Sequence, residues 1–209
     1  MSRPRIGLAL GSGSARGWSH IGVIDSLRDA GIEPEIVCGT SMGALVGAAY
    51  VAGHLDKLRQ WAEAATWRDV VALMDVRLSG GGLMSGSLIV GFLRELGLTH
   101  AIEACSKRYA AIATDLVSGR EVWLQSGPLD EAVRASIALP GIFAPVKYGD
   151  TWLVDGGLSN PVPVSVCRAL GADTIIAVNL NGELGGAALR KRSWFAGRNT
   201  LSARPKRIC

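Results

Sequence analysis

Short apolar runs ended by glycine alternate along this chain with longer stretches in which apolar residues recur every three or four positions. Residues 6–10 form the first run, followed by Gly11, Gly13 and Gly17, and read as a buried parallel strand. Over 15–30, Trp18, Ile21, Val23, Ile24 and Leu27 fall at roughly helical spacing up to Gly31, which predicts a helix. The pattern then repeats, with 35–38 as a strand, 39–43 as a turn and 44–52 as a small-residue helix closed by Gly53. Helical stretches follow at 55–65 and 68–74. Residues 75–97 break the rhythm, because Ser79-Gly80-Gly81-Gly82 precedes an apolar helix at 88–96 with few charges, a combination that fits a mobile flap. Further on, 108–115, 121–124, 152–154 and 174–179 read as strands, and 129–139 and 163–170 as helices. Strands alternating with helices predict an α/β unit whose mainly parallel sheet is covered on both faces. In such sheets the chemistry gathers at the carboxyl ends of the strands.

With 209 residues, 48 % of them hydrophobic, the chain is long enough to bury one substantial core, and one domain is expected rather than two. The net charge of +4 is unevenly spread. Residues 183–209 hold seven bases and one acid, so the remainder is slightly acidic. That segment is rich in Gly, Ser, Ala and Arg and has no apolar period, which predicts a flexible, solvated tail with anionic lipid headgroups as its sharper partner; no nucleic acid is expected. The four cysteines, Cys38, Cys105, Cys167 and Cys209, are widely spaced, so neither a disulfide framework nor a metal site is indicated and reduced thiols in the cytoplasm are expected. The first apolar stretch spans only about six residues, short for a signal peptide, and no run of about 18 apolar residues is available to span a bilayer. A cytoplasmic protein touching membranes peripherally through its tail fits these features.

Gly39-Thr40-Ser41-Met42-Gly43 matches the pattern Gly-x-Ser-x-Gly between a strand and a helix. There the glycines, Gly39 and Gly43, permit a turn sharp enough to expose the serine oxygen, and the helix N-terminus faces developing negative charge. A nucleophilic serine needs a base, usually histidine. His20, His54 and His100 all precede Asp155, so the order Ser…Asp…His is not met, and the histidines are expected to stand outside the machinery, His20 least securely because it follows the first glycine loop. Asp155, followed by Gly156 and Gly157, ends the strand at 152–154 and offers a carboxylate in place of an imidazole. An aspartate in an Asp-Gly turn is the plainer account of that position.

Gly11-Ser12-Gly13-Ser14-Ala15-Arg16-Gly17 enters a helix directly after a strand, so its amides make a nest for an anion, with Arg16 adding charge or bracing the loop. A dinucleotide site is the competing reading, since Glu33 lies about 20 residues on, but the spacing is Gly-x-Gly-x-x-x-Gly, and no Gly-Lys-Ser/Thr ending allows a P-loop.

Four ordered blocks, the loop with Arg16-Gly17, the turn at Ser41, Ala138-Leu139-Pro140-Gly141-Ile142-Phe143 with Pro145, and Asp155-Gly156-Gly157 with Asn160-Pro161, resemble the patatin-like phospholipase family. The resemblance covers about residues 5–180 and implies a three-layer α/β/α sandwich, a Ser41–Asp155 dyad and hydrolysis of phospholipid, lysophospholipid or related acyl esters through an acyl-enzyme, with no metal or cofactor. It implies oxyanion donors among Gly11, Ser12, Gly13 and Met42, an acyl-hydrolase domain at 1–182 and a basic tail at 183–209. Ser12 stands where many members have glycine, and the chain ends soon after the last strand, where many relatives continue. A lipid-binding or regulatory protein on the same fold, and a thioesterase or small-ester hydrolase, are the alternatives.

Overall fold

A computed structural model describes residues 3–66, 68–69 and 86–182. The expected basic tail and the glycine-rich part of the expected flap lie outside these residues. Among the described residues seven strands form one sheet: β1 (Ile6–Leu10), β2 (Ile36–Thr40), β3 (Arg108–Asp115), β4 (Glu121–Leu124), β5 (Val146–Tyr148), β6 (Thr151–Asp155) and β7 (Thr174–Val178). The α-helices described over their whole span are α1 (Ser19–Asp29), α2 (Met42–Val51), α3 (Leu55–Ala64), α4 (Ser87–Glu95), α5 (Leu129–Ser136) and α6 (Val164–Ala169).

Side chains alternate across the sheet with the two-residue period of β-structure. Leu8, Leu10, Val37, Ala111 and Ala113 face one core with α1 to α5, while Ala9, Ile36, Cys38, Ala110 and Ile112 face a second, smaller core with Val166 and Cys167 of α6. The result is the three-layer sandwich. Within it α2 is the central helix, buried at every position from Gly43 to Val51, which explains its glycine, alanine and valine content. The apolar helix expected at 88–96 belongs to the larger core rather than to a loose flap, with Ile89, Phe92 and Leu93 buried and the Phe92 ring 4.5 Å from that of Trp61.

Strands β7, β1, β2 and β3 are mutually parallel, as the alternating pattern predicts; β4, β5 and β6 add antiparallel pairs. Strand β5 has no counterpart in the sequence reading, because its three residues are too few to carry a period. The helix expected over 15–30 opens instead as a 3-10 turn at Ser14–Trp18. Gly17 brings this turn against α2, where a side chain would collide with Met42.

The register of β3 explains how two distant segments meet. Ala111 and Ile112 pair with both β2 and β4, while Ala113 and Thr114 pair with both β4 and β6. A strand has only two edges. Hence β4 occupies one edge, and β2 and β6 share the other, running toward each other. β2 ends at Thr40 opposite Ile112, and β6 ends at Asp155 opposite Ala113. Their carboxyl ends therefore abut, one β3 residue apart.

This junction leaves no room for side chains. A Cβ on Gly156 would collide with the carbonyl of Ile112, and one on Gly43 with that of Leu10. By contrast, nothing lies within 4 Å of a Cβ on Gly22, on the exposed face of α1. Gly43→Ala and Gly156→Ala are each expected to cost about 1–3 kcal/mol, the usual penalty of overpacking, whereas Gly22→Ala is expected to stabilise by about 0.5–1 kcal/mol. Denaturant unfolding of the three variants checks the contrast.

Candidate active site

The turn between β2 and α2 places Ser41 at φ 56° and ψ −122°, a conformation that a residue with a side chain rarely adopts. Such strain persists only where neighbours over-determine it. Here the Ser41 N–H donates to Ser136 Oγ at 2.9 Å, and the Ser136 hydroxyl donates to the Ile112 carbonyl at 2.5 Å. Thr40 Oγ1 donates to the Asn160 carbonyl at 2.9 Å, which ties the turn to the segment after β6. The Ser41 carbonyl accepts from Ala44 and Leu45, so the turn runs straight into α2. The first amides of that helix, at Met42 and Gly43, have no carbonyl within it and stand at its positive end.

Asp155 is held with equal care. Its backbone N–H donates to the Ala138 carbonyl at 2.9 Å, and its carbonyl accepts from Thr114 Oγ1 at 2.9 Å. One carboxylate oxygen, Oδ1, accepts from the Gly157 N–H at 2.7 Å; the other, Oδ2, accepts from Ser41 Oγ at 2.7 Å. Only 4 % of the residue is exposed. Burial pushes the carboxyl above the usual aspartate range, and the hydrogen bonds from Ser41 and Gly157 offset this only in part.

The three histidines divide as the structure separates them. His54 follows the far end of α2, a ten-residue helix that sets it roughly 15 Å from Ser41 along the axis. His100 lies beside His54, with ring centroids 6.3 Å apart. His20 is fully buried and close to the site, yet its Nε2 is engaged with the Gly11 carbonyl at 2.7 Å. Among the described residues Ser41 Oγ thus hydrogen-bonds to a carboxylate and to no imidazole.

The glycine loop after β1 requires a correction. Gly11 N–H donates to the Val178 carbonyl at 3.0 Å, and Ser12 N–H to the Pro161 carbonyl at 2.8 Å. Neither amide is free to hold an oxyanion, contrary to the expectation for Gly11 and Ser12. Both are bound because the loop is stitched to the ends of neighbouring segments before it turns. Within this loop the amides of Gly13, Ser14 and Ala15 donate to no acceptor among the described residues, and Ser14 sits at φ 46° in the left-handed region. Ser12 still faces the site through its side chain, which a Cβ on Gly157 would touch. Arg16 is exposed and reaches Asn181 Oδ1 at 3.2 Å, so it braces the loop.

Ser136, Thr114, His20 and Asn181 escaped the motif reading. Ser136 and Thr114 are buried hydroxyls, 0 % and 4 % exposed, each at the edge of a short apolar stretch, Ile137-Ala138-Leu139 and Ala110-Ala111-Ile112-Ala113. A cleft of about 400 Å³ opens elsewhere, lined by Glu103, Lys107, Arg108 and Leu170. Arg108 begins β3, whereas Ser41 and Asp155 lie beyond Ile112 toward its other end, so that cleft is separate from the site.

Comparison with known proteins agrees with this architecture. The family model for the patatin-like phospholipase matches residues 8–168. An uncharacterised NTE family protein of Mycobacterium tuberculosis is 45 % identical over 187 residues, covering 90 % of this chain and 52 % of the relative. Human patatin-like phospholipase domain-containing protein 6 is 32 % identical over 186 residues, covering 85 % of this chain and 13 % of that protein. The chain thus spans about half the length of the mycobacterial relative it matches. Among solved structures, VipD from Legionella pneumophila superposes with a TM-score of 0.55 at 14 % identity, over 75 % of this chain and 46 % of VipD, a likeness of fold. By this match across most of its length, the chain belongs to the patatin-like phospholipase family.

Proposed function

We propose that this chain is a serine-dependent lipid acyl hydrolase, of the phospholipase A, lysophospholipase or esterase type, working through a Ser41–Asp155 dyad. Family membership supports lipid hydrolysis in general. The observation that carries the dyad is the 2.7 Å hydrogen bond from Ser41 Oγ to a buried carboxylate. An ordinary aspartate, with a pKa near about 3.9, is a weak base at neutral pH. Burial moves Asp155 in the direction that general-base work needs.

In this mechanism Asp155 Oδ2 takes the proton as Ser41 Oγ attacks the ester carbonyl. The amides of Gly13, Ser14 and Met42 hold the oxyanion. Collapse of the tetrahedral intermediate expels the alcohol, which leaves with the proton from Asp155. Water, activated by the same carboxylate, then releases the acyl group from Ser41. The strained turn supports this role, because Ser136 fixes the backbone of Ser41 while its hydroxyl stays available to Asp155.

Ser41→Ala and Asp155→Asn are each expected to remove most turnover, on the order of 10² to 10⁴ for the base. The double variant should be little worse than either, since residues acting as a unit lose their effect together. Initial rates on phospholipid, lysophospholipid, acyl-CoA and short p-nitrophenyl esters check both points and separate a lipase from a thioesterase. A folded chain that is inactive on all four would favour a lipid-binding protein.

The pH profile offers a separate check. Asp155 acts as its carboxylate, so kcat/KM should fall as pH drops through its pKa, with a midpoint above the about 3.9 of a free aspartate. A plateau should follow toward higher pH, without the step near about 6.5 that a histidine base imposes.

We also propose that residues 183–209, which lie outside the described ones, bring the chain to anionic membranes. Each base near such a surface contributes about 1 kcal/mol, and the segment holds seven against one acid. Removing residues 185–209 should weaken sedimentation with anionic vesicles while sparing turnover of soluble esters.

A further inference from the structure

The loop from Gly11 to Ser14 contains three consecutive peptide planes, and each has its carbonyl occupied. A trans peptide points its C=O and the following N–H in opposite directions, so holding one end aims the other. The Gly11 carbonyl accepts from His20 Nε2 at 2.7 Å, while the Ser12 N–H of the same plane donates to Pro161. The Ser12 carbonyl accepts from Asn181 Nδ2 at 3.1 Å, which aims the Gly13 N–H the other way. The Gly13 carbonyl accepts from the Arg16 N–H at 3.0 Å, which does the same for Ser14. Two of the three holding groups are side chains from outside the glycine motif: His20 comes from α1, and Asn181 stands three residues past the end of β7.

The chemistry of both side chains is defined by their partners. A carbonyl only accepts, so His20 Nε2 carries a proton, and in the neutral ring that burial favours Nδ1 is bare. That Nδ1 is buried with no hydrogen-bond partner among the described residues. A purely space-filling residue would avoid such a loss; a directional donor cannot. Burial also lowers the imidazole pKa, which favours the neutral, single-donor form. For Asn181, Oδ1 receives Arg16, which can only donate, and the amide is thereby oriented with Nδ2 toward the Ser12 carbonyl and, at 3.2 Å, its hydroxyl. Backbone alone does not hold this loop, since Ser14 sits in the left-handed region without being glycine.

We propose that His20 and Asn181 are positioning residues of the oxyanion loop: His20, with Pro161, fixes the Gly11–Ser12 peptide at the base of the loop, and Asn181 holds the Ser12 carbonyl back so that the Gly13 amide faces the reacting carbonyl, beside a Ser14 amide aimed by the Arg16 turn. The proposal rests on the hydrolase reading above. It also gives Arg16 a specific duty, which is to orient Asn181.

Four forms of the full chain test it: wild type, His20→Leu, which keeps bulk but no donor, His20→Gln, whose Nε2 replaces the lost one, and Asn181→Asp, which keeps an acceptor for Arg16 but loses the donor. On a p-nitrophenyl ester, His20→Leu and Asn181→Asp should lower kcat by about tenfold or more, short of the 10²–10³ for losing an oxyanion donor outright. KM should stay within about twofold, because the amides act on the transition state, and His20→Gln should recover most of the loss. Binding of an alkyl trifluoromethyl ketone, whose serine adduct carries an oxyanion, should weaken by the same factor as kcat. Wild-type kcat and inhibitor affinity in both His20→Leu and Asn181→Asp, each shown folded by its melting curve, would overturn the proposal, as would a His20→Gln variant as impaired as His20→Leu.

Amide hydrogen exchange over residues 11–14 reads the clamp without turnover. Faster exchange in His20→Leu and Asn181→Asp than in wild type or His20→Gln is the expected result, and wild-type exchange in both overturns the clamp. Faster exchange in a chain with no Ser41-dependent turnover would uphold the clamp and count against the hydrolase reading alone. Asn181 is partly exposed, so its variant reports even if His20→Leu does not fold.

Discussion

The meeting of β2 and β6 on one edge of β3 is the constraint on which the site depends. Two strands that run toward each other along a shared edge must stop before they collide, and the chain at each stop has to turn away from the sheet. At the end of β2 the turn lifts Ser41 into a strained conformation; at the end of β6 it presents Asp155. A separation of 114 residues in sequence becomes a 2.7 Å hydrogen bond because Thr40 and Asp155 pair with consecutive residues of β3. A steric demand follows from the same junction, since Gly156 lies against the Ile112 carbonyl and admits no side chain, and Gly43 is confined likewise by the Leu10 carbonyl of β1.

Around that junction, hydrogen bonds hold what is otherwise unfavourable. Ser136 accepts from the part-buried N–H of Ser41 and donates its own hydroxyl to the Ile112 carbonyl, so the strained turn is tied to the strand beside it. Thr114 and Gly157 hold Asp155 from two sides. Each of these groups removes a freedom that the reaction proposed here would otherwise have to freeze out at the moment of attack. The result is a carboxylate that is buried, fixed and raised in pKa, facing a serine whose backbone cannot relax.

Much of this is legible in the sequence, for physical reasons. Ser41 stands out because it sits between Gly39 and Gly43 after an apolar run, Asp155 because it ends one and precedes two glycines, and the four parallel strands announce themselves as short apolar stretches between helical ones. The antiparallel sense of β6 is not legible, since a run of three or four apolar residues has no direction. Strand β5 is invisible for want of length. The loop amides show a different limit: Gly11-Ser12-Gly13-Ser14 looks like four equivalent donors, and only the neighbouring carbonyls of Val178 and Pro161 reveal that the first two are engaged. His20 and Asn181 belong to no motif, because their contribution is a hydrogen bond to backbone atoms nine and 169 residues away.

The central claim is that Ser41, activated by Asp155 alone, is the atom that becomes acylated. Reaction of the folded chain with a fluorophosphonate, read by intact mass and peptide mapping, tests it most directly. A single adduct on Ser41, formed rapidly in wild type and far more slowly in Asp155→Asn, is the predicted result. A folded chain that takes up no label, or carries it on another residue, or labels Ser41 equally fast without Asp155, would contradict the account.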